Sequence, residues 1–67
     1  MPSPQLNEKV RLLRGVPELS LESGSVGVVQ SVWFAPTPAY EVEFRPHGAA
    51  FPVRALVLAE HVEAGGQ

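Results

Sequence analysis

Tyr40-Glu41-Val42-Glu43-Phe44 alternates large apolar and acidic side chains without a break. Successive side chains of an extended strand point to opposite faces. The segment therefore offers Tyr40, Val42 and Phe44 to a core and Glu41 and Glu43 to water. A strand with one dry and one wet face belongs to an antiparallel sheet. In a chain of 67 residues, the cover for that dry face has to come from a few more short strands.

Composition agrees. Six glycines and seven prolines are too many for a helical bundle of this length. The aliphatic residues lean to valine, whose stiff branched side chain suits a pleated surface. An all-β fold follows, in one domain, because two halves would each be too small to hold a core without metals or disulfides.

Residues 1–6 contain two prolines and no periodicity, and read as a flexible arm. Residues 7–14 form a first strand, with Val10 and Leu12 on one face and Lys9 and Arg11 on the other. Gly15 to Ser25 carries turn residues together with Val16, Leu19 and Leu21. It reads as a loop folded back over one end of the sheet, with Leu19 and Leu21 plugging the opening. Gly24 and Gly27 predict a turn and then a close backbone approach or a bulge.

Val26 to Phe34 is the longest strand candidate, but strict alternation cannot bury both Val29 and Val32. A bulge or sharp bend between them can. Both prolines of Ala35-Pro36-Thr37-Pro38 lack an amide donor, so this segment is a turn. Arg45-Pro46-His47-Gly48 makes the next. Phe51 to Leu58 is a further strand, with Pro52 placing it at a sheet edge or a bulge. Ala59 to Val62 fits one short helical turn before a brief last strand, and residues 64–67 read as a disordered tail. The expectation is an SH3-like antiparallel barrel of about five strands over residues 7–63, whose closure would hide its edges.

The segments VRLLRGVPELSLESGSVGVV and AYEVEF carry a resemblance. Val10 to Leu13, Pro17-Glu18 to Leu21, Gly24 to Val29 and Tyr40 to Phe44 follow one another as in domain-of-unknown-function family 4926. Ser25 and Val28 stand where that family often has Asp and Thr, and its usual acidic turn after the Phe is Arg45-Pro46-His47-Gly48 here. The resemblance implies a small SH3-like scaffold and no particular activity. More distantly, the layout is similar to the SH3-like peripheral subunits of photosystem I and of ferredoxin–thioredoxin reductase, which are docking subunits without catalytic groups. The Gly-x-Val-Gly-x-Val turn also resembles KOW-type barrels, which implies RNA binding as the alternative.

Several functions are disfavoured by residue type. The chain has no Cys, hence no disulfide, no thiolate nucleophile and no Cys-ligated metal. Ser23 or Ser31 could be paired on paper with His47 or His61, but only a Glu could orient the base and a small filled barrel has no deep pocket. His47 and His61, even with Glu60 or Glu63, lack the local spacing of a metal motif. No catalytic, cofactor-binding or metal-ligating set is assigned, and no enzyme is expected. A formal charge of −2 argues against nucleic acid, since Lys9, Arg11 and Arg14 lie among Glu8, Glu18 and Glu22. No apolar run approaches the ~18–20 residues of a membrane span, and no apolar leader follows Met1, so a cytoplasmic protein without membrane insertion is expected.

The aromatic residues are the better candidates. Trp33 and Phe34 are consecutive, so in a strand they face opposite ways and one lies outside the core. Trp is enriched at interface hot spots. A partner-binding patch is therefore expected around Trp33, Phe34, Pro36, Pro38 and Tyr40, with Glu41 and Glu43 setting its charge, although alternation also allows Tyr40 to be core. The partner is a protein. A homodimer is open, since Ala49, Ala50 and Phe51 form an uncharged stretch beside a strand edge suited to strand addition.

Overall fold

The computed structural model describes Pro4 to Gly65. Its strands are β1 (Lys9–Leu12), β2 (Val26–Trp33), β3 (Ala39–Phe44), β4 (Val53–Leu58) and β5 (Val62–Ala64). Two 3-10 turns, Pro17–Leu19 and Ala59–His61, complete the described elements. The strands form one antiparallel sheet in the order β4-β3-β2-β1-β5. No helix among the described residues is long and apolar enough to cross a membrane.

Alternation decides which way each strand faces. Val10 and Leu12 of β1 point inward, as do Tyr40, Val42 and Phe44 of β3. They join Val29 of β2, Val57 of β4, Val62 of β5 and Leu21 of the first loop in one buried cluster. Among the described residues the sheet has no second layer, yet strands from its two ends, β4 and β5, supply side chains to the same core. A single sheet can bury one face this fully only by curling around it. No ladder joins β4 to β5 among the described residues, so the sheet is curled but open.

Gly27 sits where the curl brings main chain against side chain. It pairs with Val10 on one side and Phe44 on the other. A Cβ there would lie 2.8 Å from the Glu43 carbonyl oxygen and 2.5 Å from a Val42 methyl. The close approach expected from the sequence is thus real, and only glycine fits it.

The loop after β1 folds back as expected. Val16 and Leu21 exchange backbone hydrogen bonds of 2.8 and 3.1 Å, and Leu21 enters the core. Leu19, expected to plug the opening beside it, stays partly exposed on the 3-10 turn, and Val16 packs against the core instead. The chain ends also differ from expectation. Gln5 and Glu8 are tied by a backbone bond of 3.1 Å, so the end of the proposed arm is a turn. At the other end Ala64 pairs with Val10 and the Gly65 amide donates to the Lys9 carbonyl at 3.0 Å, which makes both ordered. The rest of the arm and of the tail lies outside the described residues.

Candidate functional site

A one-residue bulge determines what the outer face of the sheet displays. Val29 pairs with Val42, but the next pair is Ser31 with Glu41, which leaves Gln30 unmatched. Were Gln30 a regular, paired position, Gly27, Val29, Ser31 and Trp33 would all point inward, because a strand repeats every two residues. The bulge reverses the phase. Val29 and Val32 both face the core, as the sequence required, and Ser31 and Trp33 turn outward.

Cross-strand register then places three rows on the outer face of β2, β3 and β4. Trp33 lies beside Ala39 and Leu58, Ser31 beside Glu41 and Leu56, and Val28 beside Glu43 and Arg54. Trp33 is 53% exposed and Leu56 66% exposed. Ala39, although on this outer face, is buried, being flanked in its row by the larger Trp33 and Leu58. Apolar side chains thus gather on a surface that folding leaves in contact with water.

Polar contacts hold the indole in place. Its Nε1–H donates to the Ser31 hydroxyl oxygen at 3.2 Å, and that hydroxyl donates to Glu41 Oε1 at 2.9 Å. Glu43 accepts from Arg54 Nε at 3.1 Å and from an Arg45 Nη at 3.2 Å. The two carboxylates expected to form a freely wetted face are therefore only partly exposed, each with a bonded partner. Each arginine stays mostly in solvent, so these ion pairs orient the guanidinium groups more than they stabilise the fold.

Two hollows flank the Trp33–Leu56 pair. One, of about 370 Å³, is walled by Trp33, Leu56, Leu58, Ala39 and the turn residues Ala35 and Pro36. The other, of about 250 Å³, adds Glu41 and Arg54 to the shared Trp33 and Leu56. An apolar group can enter the first while a hydrogen-bonding group meets Glu41 or Arg54 in the second. Neither hollow holds a nucleophile beside a base. Ser31 is engaged with Glu41 and Trp33, and Ser23 donates to the Leu13 carbonyl at 3.3 Å.

The expected patch is thus partly assembled. Trp33, Pro36 and Glu41 come together, and Glu43 stands beside them through Arg54. Tyr40 does not join them. It is 5% exposed on the opposite face of β3 and belongs to the core. Phe34 is exposed as well as Trp33, contrary to the expectation that only one of the two would leave the core. β2 ends at Trp33, so Phe34 already belongs to the turn and alternation no longer governs it. Pro38 lies beyond the hollow, where its carbonyl accepts the Ala59 amide at 3.0 Å.

Leu56, Leu58, Ala39 and Arg54 were missed from sequence. Val53 to Leu58 is apolar on both faces, so hydrophobicity alone leaves its phase open. The charge on Arg54 is the available signal: if it points to water, Leu56 and Leu58 do too. No family model, curated protein or solved structure matches the chain.

Proposed function

We propose that the chain is a non-enzymatic docking module of SH3-like plan, kin to domain-of-unknown-function family 4926 and acting in the cytoplasm. Its binding surface is the outer face of β2, β3 and β4, and its partner is another protein. One observation carries this reading: an exposed Trp33, oriented by the Ser31–Glu41 chain of hydrogen bonds, stands between an apolar and a polar hollow. Aromatic anchors beside pockets with a few placed polar groups are the features that give protein interfaces their affinity.

Nucleic acid fits this surface less well. Arg45 and Arg54 both pair with Glu43, and Arg11 pairs with Glu63, so three of the cations already face carboxylates. Polyanion binding draws its affinity from cations free to meet phosphate.

The test is affinity capture from native extract with the wild-type chain and with the Trp33→Ala variant as baits. Proteins retained by the wild type and absent from the variant are expected. An identical set on both baits, or recovery of RNA in their place, contradicts the reading.

A further inference from the structure

Among the described residues, the edge of the sheet at β4 is unpaired and, apart from Arg54, apolar. Ala59 N–H donates to the Pro38 carbonyl at 3.0 Å, which extends the ladder in which Leu58 faces Ala39 and Val53 faces Phe44. Hydrogen-bonded pairs alternate along an antiparallel ladder. Val53, Ala55 and Val57 therefore direct their main-chain groups to β3, and Arg54, Leu56 and Leu58 direct theirs to the free edge. Among the described residues no backbone hydrogen bond from outside the ladder reaches those three.

We infer that this edge pairs with β4 of a second copy of the chain, antiparallel about a two-fold axis at Leu56. Reciprocal hydrogen bonds form only where an edge-pointing residue meets another. With the axis at Leu56, Leu56 meets Leu56, and Arg54 of each copy meets Leu58 of the other. Every edge-pointing residue is then used. A shift toward the start of the strand brings in Pro52, which has no amide to donate. A shift toward its end runs into the turn Ala59–His61. The strand's own limits select the symmetric register.

Charge favours a second copy as the occupant. Arg54 is the sole charged residue of β4. In this register the two arginines sit at opposite ends of the joint, each with its aliphatic stem along a leucine, so like charges never meet. Inward-facing Ala55 and Val57 oppose one another and extend the core. Apart from Pro52 at its start and Arg54, whose guanidinium bonds back to Glu43, β4 has none of the bulges, edge charges or inward charges that keep exposed edges solitary. The other edge, β5, has only three residues, so pairing through β4 closes on itself and does not propagate. Arg54, Leu56 and Leu58 also line the proposed docking face, but the dimer does not depend on Trp33, so Trp33→Ala separates the two readings.

Single-cysteine variants test the register, because the native chain has no thiol. Opposed residues at a hydrogen-bonded pair have Cα atoms about 5.5 Å apart. Residues four positions out of register are about 14 Å apart along the strand. With a bifunctional thiol linker too short for the longer span, Leu56→Cys is expected to cross-link between copies and Arg54→Cys is not. An equimolar mixture of Arg54→Cys and Leu58→Cys proteins links again. Sedimentation equilibrium should show a wild-type dimer that Trp33→Ala preserves and Leu56→Lys abolishes, with the β-type circular dichroism of both variants unchanged. A wild type that stays monomeric to its solubility limit overturns the inference. So does a dimer that survives Leu56→Lys, or one that links as well through residue 54 as through residue 56.

Discussion

Tyr40, Val42 and Phe44 on the inward side of β3 are closed off from solvent, whereas Glu41 and Glu43 on its outward side are covered only by side chains from neighbouring strands. The inner set is held by packing: apolar groups from every strand converge, and no buried side-chain polar atom lacks a partner among the described residues. The outer set is held by direction. Ser31 and Glu41 fix an indole that the core does not need, and Glu43 aligns two arginines that remain in water. One strand thus closes a core on one side and holds exposed groups in fixed directions on the other. Changes to the inner side should lower stability, while changes to the outer side should alter recognition and leave the fold nearly intact.

The largest effect is expected on the inner side, where the curl leaves Gly27 no room for a side chain. Gly27→Val forces side-chain atoms against the Val42 side chain and the Glu43 carbonyl oxygen, where even a Cβ would lie 2.5 and 2.8 Å away. The loss should exceed about 4 kcal/mol, enough to unfold a domain of this size. Loss of the β-type circular dichroism would register it, and a natively folded Gly27→Val variant would contradict the close packing of the inner side. Phe44→Ala comes next, at about 3–5 kcal/mol by urea denaturation, because the ring is fully buried and leaves a cavity. Trp33→Ala should lower stability by only about 1 kcal/mol, since half of the indole is already wet. Its unfolding has to be followed by circular dichroism, because Trp33 is the only tryptophan. A loss as large as that of Phe44→Ala would show that the indole is structural after all.

Smallest in stability is Ser31→Ala, at about 1 kcal/mol or less, which removes one partner from both Trp33 and Glu41. Its clearer effect is on the motion of the indole. Time-resolved fluorescence anisotropy should show a freer indole than in the wild type, and unchanged anisotropy would mean that packing alone holds Trp33.

Much of this was readable before any coordinates. The alternation of β1 and β3, the bulge required by Val29 and Val32, the close approach at Gly27 and the turn before β5 each follow from one local rule. What stayed hidden depends on partners distant in sequence. Leu56 and Leu58 face outward because Val53 pairs with Phe44, and that phase cannot be read from a segment apolar on both sides. Tyr40 and Glu41 are neighbours that belong to different faces, so a patch drawn by sequence proximity joined core to surface. Phe34 escaped the alternation rule because its strand had already ended. The order at Ala64 and Gly65 comes from β1, more than fifty residues earlier.

If a partner sits on the Trp33 face, the fluorescence of that single indole reads it directly. In a complex with a protein captured by the wild-type chain, Trp33 emission should move to the blue and its quenching by acrylamide should fall. Emission and quenching unchanged at saturation would place the partner elsewhere and contradict the account.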